Sequence, residues 1–168
     1  MTPAPSYTRA VRRVMIAVLL VVGAVSLPSS DASASRPKDI HTALVSIPKL
    51  NVSAKVYTGV TDRQFERGFG YWPGTARAGQ RGNLVLSAHR TSGPRYLYNI
   101  DKLKKGDIIH VRQGRRVHRY RVTRSFIVKP HEVWIVKQTR TPILTMFACH
   151  PKGSIDKRWV VRARLVTP

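Results

Sequence analysis

From residue 42 onward, short runs of apolar or β-branched residues alternate with turns rich in Gly, Pro, Asn or charged residues. Runs of this kind are typical of strands, whereas an amphipathic helix needs a longer segment with a period of about 3.6 residues. The pattern predicts an all-β domain of about eight strands that closes, fully or partly, into a β-barrel. The predicted strands lie at 44–47, 55–57, 83–88, 107–111, 118–128, 132–136, 143–148 and 159–166.

Two segments of the same region predict short helices. Thr61 and Gln64 have the spacing of a capping box, which indicates one helical turn at 61–67. A second short helix or turn is expected at 95–104. No internal repeat is visible, so 42–168 is interpreted as one domain.

The N-terminus has the order of parts found in a secretory signal. Residues 1–13 are basic and precede an uncharged apolar run at 14–27, and a small-residue A-x-A sequence follows at 32–34. The apolar run is short for a membrane span, which needs about 20 residues. An uncleaved anchor nevertheless fits, because arginines before such a run are retained in the cytoplasm. We therefore expect either a single-pass membrane protein with an extracytoplasmic domain or secretion after cleavage near Ala34.

The segment between this apolar run and the predicted barrel is a linker. Residues 28–41 contain mainly Ser, Ala, Pro and Asp, and they show no hydrophobic period. On this interpretation 1–13 is a cytoplasmic basic region, 14–27 a signal peptide or signal anchor, and 42–168 the exported domain.

The charge balance is strongly basic, with 30 Lys and Arg against 8 Asp and Glu and a formal net charge of +22. Such a field attracts polyanions, which outside a cell are wall polymers or anionic lipids rather than nucleic acid. The densest basic stretch, 112–124, contains a single aromatic residue, Tyr120. Nucleic-acid binding would require several stacking aromatics and a recognisable module, so we expect no nucleic-acid partner. A non-enzymatic basic barrel that binds wall polymer or another polyanion remains an alternative.

Metal sites and disulfides find little support in the sequence. Cys149 is the single cysteine, which excludes an internal disulfide and zinc sites built from several cysteines. Among the eight acidic residues only Asp62 and Glu66 are close in sequence, so a local calcium loop is not expected. We expect neither a metal nor a cofactor.

Candidate chemistry appears where two apolar strands end. Cys149 follows the run at 143–148, and His89 follows the run at 83–88. A nucleophilic cysteine needs a base or cation to hold its thiolate, and two strands that end at one barrel rim would bring both groups together. His150 is less suitable, because neighbouring residues of a strand point to opposite faces.

A positive group for a developing oxyanion is the third requirement of acyl transfer. Arg158 begins the last predicted strand, nine residues after Cys149. A hairpin between 143–149 and 158–166 would return Arg158 to the position of the cysteine.

The order His89, Cys149, Arg158 on an all-β exported chain resembles that of the sortase family. The local sequences narrow the resemblance to the class E sortases of actinobacteria, and together they cover about 44–166. The segments that resemble this class lie at 47–60, 69–91, 99–111, 144–154 and 158–165.

This resemblance implies a sortase-like closed barrel and a membrane-associated cysteine transpeptidase whose catalytic residues are His89, Cys149 and Arg158. Cys149 would attack the Thr–Gly carbonyl of a C-terminal sorting signal of the Leu-Ala-x-Thr-Gly type and form a thioester. His89 would protonate the departing amine and then deprotonate the incoming one, while Arg158 would stabilise the oxyanion. A peptidoglycan precursor would supply the acceptor amine, so the product would be a protein fixed to the wall.

The substrate-binding residues are not identified by the resemblance, and we expect them in the loops near 91–98, 129–142 and 150–157. The segment 68–75 differs from the family's more usual Gly-Pro-Gly-His-Tyr-Pro-Gly-Thr sequence, and two positions beside the catalytic residues also depart from the family pattern. Ala148 occupies the position of the usual Thr before the nucleophile, and Ala88 that of the common Gly before the histidine. Another exported cysteine acyl-transferase, such as an L,D-transpeptidase, is a further alternative, although its Ser-x-Gly-Cys context is absent around Cys149.

Overall fold

A computed structural model describes residues 43–166. These residues form eight strands that close into one barrel, as the sequence predicts. The strands are β1 (Ala43–Ile47), β2 (Val52–Thr58), β3 (Phe69–Tyr71), β4 (Asn83–Ser87), β5 (Ile108–Gln113), β6 (Arg116–Val128), β7 (Ile143–His150) and β8 (Lys157–Leu165).

The barrel order is β1-β2-β3-β4-β7-β8-β6-β5, and the pairing of β1 with β5 closes it. Most neighbours are antiparallel, but β2 with β3 and β4 with β7 are parallel pairs. Parallel neighbours end at the same edge of a sheet. The C-terminal ends of β4 and β7 are therefore brought to one rim of the barrel.

Alternate residues of the strands fill the barrel interior with apolar side chains. In β7, Leu144, Met146 and Ala148 belong to this core, each no more than 2% exposed. The intervening residues of β7 lie on the outer face, where Phe147 packs with Val85 of β4 in a second apolar cluster. The second cluster is covered by the loop between β6 and β7, so both faces of β4 are buried.

The short helices occur where the sequence predicts them. The helix α1 spans Asp62–Phe65, and a 3₁₀ helix spans Ile100–Lys102. The start of α1 differs from a capping box, in which the two side chains bond backbone N–H groups. Here the hydroxyl of Thr61 donates to the side-chain oxygen of Gln64, and the carbonyl of Thr61 accepts the backbone N–H of Gln64. Another 3₁₀ helix, Pro48–Leu50, connects β1 to β2.

The prediction of a strand at 132–136 is wrong. Val133–Val136 forms a 3₁₀ helix in the β6–β7 loop. Its residues are apolar because Ile135 and Val136 pack on the outer face of the sheet and Trp134 stacks on Phe126. An apolar run this short does not distinguish a strand from another buried segment.

No strand is predicted at β3, a three-residue strand with a glycine at its centre. A Cβ at Gly70 would lie 2.5 Å from the carbonyl oxygen of Gly59 and 2.6 Å from the ring of Phe65. Gly70 therefore permits a close approach that a larger residue would prevent, and it interrupts the apolar pattern by which strands are predicted.

Three of the predicted segments, 1–13, 14–27 and 28–41, lie outside the described residues. Among residues 43–166, no helix has the length and apolar composition that a membrane crossing requires.

Candidate active site

Two of the predicted site residues are brought together by the parallel pairing of β4 and β7. Ser87 lies in register with Phe147, and two residues further along each chain come His89 and Cys149. Both lie at the same rim of the barrel, as predicted from the ends of the two apolar runs. The side-chain hydroxyl of Ser87 donates to the carbonyl of Phe147 at 2.9 Å, which ties the two strand ends together.

Arg158 lies directly opposite Cys149 in the antiparallel pair of β7 and β8. The predicted hairpin between 143–149 and 158–166 is confirmed by this register. The Nη1 atom of Arg158 donates to the carbonyls of Ile155 and Lys157 at 2.7 and 2.9 Å. Both bonds use one nitrogen, so the guanidinium retains the donors on Nε and Nη2 for another partner.

His89 is held by groups from α1 and its C-terminal end. Its Nε2 lies 3.6 Å from a carboxylate oxygen of Asp62 and 3.6 Å from one of Glu66. The ring of Phe65 meets the imidazole edge-on, with the ring centroids 5.2 Å apart. The side chain of His89 is 17% exposed, so its orientation is restricted on two sides while it remains accessible.

All three residues line one groove with a volume of about 310 Å³. One wall comes from the β6–β7 loop, through Lys129, Pro130, Glu132 and the 3₁₀ helix. Other lining residues are Val60, Phe65, Trp72, Ser87, Ala88, Phe147 and Ala148. The groove therefore combines a largely apolar lining with a thiol, an imidazole and a guanidinium at one end.

The predicted substrate-binding loops contribute unequally to this lining. Residues 129–142 supply an entire wall, whereas none of 91–98 or 150–157 is among the lining residues. The loop at 150–157 contributes indirectly. Its carbonyls at Ile155 and Lys157 accept hydrogen bonds from the guanidinium of Arg158, which does line the groove. Val60 and Phe65 line the groove as well, although the segment before β3 is not among the predicted substrate-binding loops.

The β6–β7 loop is fixed to β4 by two amide side chains. Asn83 is fully buried, and its Nδ2 donates to the carbonyls of Ile135 and Lys137 at 2.8 and 3.1 Å. The Oε1 atom of Gln138 accepts the backbone N–H of Asn83 at 3.0 Å, and its Nε2 donates to the carbonyl of Asn83 at 3.2 Å. These four bonds hold the groove wall in place, and sequence patterns gave no indication of them.

Arg90 connects the end of β7 to the segment that follows β4. It is 2% exposed, forms an ion pair with Asp101 at 2.8 Å, and donates to the carbonyls of Tyr98 and Cys149, each at 3.3 Å. It also bonds Nδ1 of His150 at 2.8 Å. Arg90 therefore restricts the backbone of the cysteine without lining the groove. It immediately follows the histidine in sequence, but nothing in the pattern marks it as buried.

His150 faces away from the groove, towards Arg90 and Trp159. Burial lowers the pKa of His150, and the charges of Arg90 and Lys157 lower it further, while Asp101 has the opposite effect. A neutral imidazole at this position can accept the hydrogen bond from Arg90 at Nδ1. The expectation that His150 is poorly placed as a base agrees with this orientation.

Within the described part of the chain, no group of three or more His, Cys, Asp or Glu side chains is arranged to hold a metal ion.

Comparisons with known proteins place this geometry in one family. A model of the sortase domain matches residues 45–166. Sortase A of Listeria monocytogenes is 26% identical over 149 residues, covering 84% of this chain and 65% of the relative. Sortase D of Bacillus subtilis is 25% identical over 130 residues, covering 75% of this chain and 64% of the relative. The chain thus spans just under two thirds of the length of these curated relatives.

Solved structures agree with the sequence comparisons. The Sortase D5 transpeptidase of Clostridium perfringens superposes with a TM-score of 0.69 at 27% identity, over 76% of this chain and 79% of that one. Since the family model covers nearly all of the described residues, the chain belongs to the sortase family.

Proposed function

We propose that this protein is a cysteine transpeptidase that joins proteins bearing a C-terminal sorting signal to an amine of a cell-wall precursor. Membership of the sortase family supports the reaction class, because sortases act on such signals and precursors. The observation that carries the proposal is the position of His89, Cys149 and Arg158 at one end of a single groove.

In this proposal Cys149 is the nucleophile. Its thiolate attacks the carbonyl carbon of a Thr–Gly bond, and the tetrahedral intermediate then collapses to a thioester with loss of the glycine amine. The incoming amine attacks the thioester carbonyl, a new amide bond forms, and the thiolate is released. Nucleophilic catalysis of this kind divides one difficult acyl transfer into two easier steps.

His89 supplies and removes the proton in the two halves of the reaction. It protonates the leaving glycine amine and later accepts a proton from the attacking amine. Asp62 and Glu66, each 3.6 Å from Nε2, provide negative charge beside the imidazolium whenever the ring carries the proton. The edge of Phe65 limits the tilt of the ring.

Arg158 stabilises the oxyanion of the tetrahedral intermediate. It lies across the strand pair from Cys149, and the loop carbonyls that bind its Nη1 leave two other nitrogens as donors. A fixed donor aimed at developing charge is worth about 10²–10³ in rate.

The sorting signal binds along the apolar part of the groove. Val133 is 57% exposed although it is apolar, which suits a residue that packs against an extended peptide. We further propose a class E preference for Leu-Ala-x-Thr-Gly, supported by the local sequences around 69–91 and 144–154. Ala88 and Ala148 line the groove beside the catalytic residues, so the two departures from the family pattern affect the shape of the site rather than its reacting groups.

The cellular location follows from the same reasoning. We propose that 14–27 anchors the chain in the membrane, with 1–13 in the cytoplasm and the domain at 42–168 outside. Sortases are typically enzymes of the cell surface, where the sorting signal and the wall precursor meet.

The test is acyl transfer by the full chain in a neutral detergent, with a Leu-Ala-x-Thr-Gly peptide and an amine acceptor. Intact-mass spectrometry of the wild-type protein should detect a thioester adduct without acceptor and a ligated peptide with it. Cys149→Ala should give neither, while His89→Ala should give little of either. A Leu-Pro-x-Thr-Gly peptide in parallel tests the class E preference.

Folded wild-type protein with a free thiol that forms no adduct with either peptide would contradict the proposal and favour a binding role. Equal rates with both peptides would contradict only the class E preference.

A further inference from the structure

A second pocket, which we call the arginine pocket, lies on the outer face of the barrel. It has a volume of about 410 Å³ and is lined by Arg124 of β6, Arg162 and Arg164 of β8, and Thr139 and Thr141 of the β6–β7 loop. It lies towards the opposite end of β8 from the candidate active site, and no part of the proposed transpeptidase mechanism uses it.

The arginine pocket brings like charges into direct opposition. In the pairing of β6 with β8, Arg124 lies opposite Arg162, and Arg121 lies opposite Arg164. Like charges directly across a strand pair destabilise a sheet. Within residues 43–166 none of these four side chains forms an ion pair with a carboxylate. The arrangement therefore has an electrostatic cost that no carboxylate of the described residues offsets, although the ring of Phe126 lies 4.9 Å from the Arg124 guanidinium and attracts it.

Arg162 shows that this charge is partly removed from water. Its guanidinium lies 5.0 Å from the centroid of the Trp134 ring and 5.6 Å from that of Phe126. Its Nε is buried and has no hydrogen-bond partner in the described part of the chain. Burial lowers the pKa of Arg162, and the nearby charge of Arg124 lowers it further.

Two threonines, Thr145 and Thr123, lie next to Arg162 in the sheet, and Thr123 also lines the pocket. Thr145 lies opposite Arg162 in the β7–β8 register, and its hydroxyl is also buried without a partner among the described residues. Thr123 donates to the carbonyl of Arg162 at 3.0 Å, which fixes the backbone that carries it. An unpartnered buried polar atom costs free energy that a ligand can recover.

We propose that the arginine pocket binds a phosphate group. The planar guanidinium fork matches the oxygens of a phosphate, and charge-assisted bonds of this type are short and strong. A dianion would also offset the repulsion between Arg124 and Arg162, which a neutral ligand would not. The proposal is independent of the transpeptidase function, since it uses none of the residues of the groove.

The test is isothermal titration calorimetry of the full chain in a neutral detergent, with inorganic phosphate at low ionic strength. Wild-type protein should bind at one site per chain. The double variant Arg124→Gln with Arg164→Gln removes two exposed side chains and should weaken binding by about tenfold or more, because each charge-assisted bond contributes substantially. Circular dichroism checks that the variant is folded.

The matched control is Arg115→Gln with Arg116→Gln, which removes the same charge from two exposed residues, one in the turn between β5 and β6 and one at the start of β6. This control should bind phosphate as the wild type does. If the Gln variant of the pocket does not fold, the double variant Arg124→Lys with Arg164→Lys replaces it. This variant retains the positive charge but lacks the planar guanidinium groups, so it should also bind phosphate more weakly than the wild type.

The source of the phosphate is distinguished by a second titrant, glycerophosphoglycerol, which carries the phosphodiester of an anionic lipid headgroup. Binding at least as tight as that of inorganic phosphate would indicate a lipid headgroup. Binding of inorganic phosphate alone would indicate a soluble phosphate compound. The proposal is overturned if neither titrant gives saturable binding to the wild type, or if the pocket variant and the control lose affinity equally.

Discussion

In the proposed mechanism Arg158 has two tasks, and a lysine would not be suited to perform both. Its Nη1 holds the β7–β8 loop through the carbonyls of Ile155 and Lys157, and its other nitrogens remain available for an oxyanion. A lysine ammonium is a point charge without the planar fork. Arg158 is thus expected to act both on the position of the loop and on the transition state.

We predict that Arg158→Lys lowers kcat/KM for the sorting peptide by about 10²-fold or more, the range for loss of one oxyanion donor. Steady-state ligation kinetics measure the effect, and thermal unfolding checks the fold. Arg119→Lys, an exposed arginine on β6, is the control and should react at the wild-type rate. If Arg158→Lys reacts at the wild-type rate, the positive charge at this position is sufficient and the planar guanidinium is not required.

His150 is expected to make stability depend on pH. Its pKa in the folded protein is below the ordinary value, first because of burial and then because of Arg90 and Lys157. As the pH falls through about 6.5, the unfolded chain therefore takes up a proton before the folded chain does. Protonation favours the unfolded state in that range, so the free energy of unfolding decreases until the lower folded pKa is passed.

We therefore predict that His150→Gln loses less stability than the wild type between about pH 7.5 and pH 5.5, a range that spans the ordinary histidine pKa. Urea denaturation at several pH values measures the difference. The other histidines are common to both proteins, so their titration cancels. Parallel curves for the two proteins would show that His150 makes no net contribution.

At the scale of elements, the β6–β7 loop acts as a wall that is built separately from the barrel. It reaches the sheet through the apolar cluster around Phe147 and Ile135, and it is fixed by Asn83 and Gln138. The position of the wall therefore depends on a few polar bonds as well as on packing.

Truncation of Gln138 should make the position of the β6–β7 loop less fixed without unfolding the barrel. We predict that Gln138→Ala raises KM for the sorting peptide several-fold, leaves kcat close to that of the wild type, and lowers the free energy of unfolding by about 1–2 kcal/mol. Lys137→Ala is the matched control, because only the backbone carbonyl of Lys137 bonds Asn83. A fall in kcat with unchanged KM would show that the bond acts on the catalytic residues instead.

The elements that could be predicted from sequence are those whose pattern is local. The apolar runs at 83–88 and 143–148 are continuous because β4 and β7 are buried on both faces, and the ends of these runs locate His89 and Cys149. The pairing of β7 with β8 could also be predicted, because the two strands are consecutive in sequence and form a hairpin. By contrast, 132–136 is apolar because it packs on the outside of a sheet, a cause that the run itself does not reveal.

The polar supports of the site could not be predicted for a related reason. The side chains of Asn83 and Arg90 bond groups that are up to 60 residues away in the chain. Neither residue belongs to a periodic pattern, and each is of a type that is usually exposed. Their roles emerge only when the parallel pairing of β4 and β7 brings the distant segments together.

At the scale of the whole molecule, closure of the barrel gives each of the eight strands in residues 43–166 a neighbour on both sides. β1 has a central part in this closure because it pairs with β2 on one side and with β5 on the other. Val45 and Ile47 of β1 are also fully buried in the core. Loss of β1 would therefore expose two edges and open the interior.

Because β1 closes the barrel, we predict that the independently folding unit must include it. A fragment of residues 42–168 should unfold in one cooperative transition and ligate the sorting peptide as the full chain does, because it retains every strand of the barrel. A fragment of residues 52–168 lacks β1 and should show no cooperative transition and a tendency to aggregate, since β2 and β5 then present unpaired edges. Thermal unfolding followed by near-ultraviolet circular dichroism, with light scattering in parallel, compares the two. Cooperative unfolding of the shorter fragment at the same temperature would mean that barrel closure contributes little to stability, and that the rim carrying His89 and Cys149 is held by β4, β7 and β8 alone.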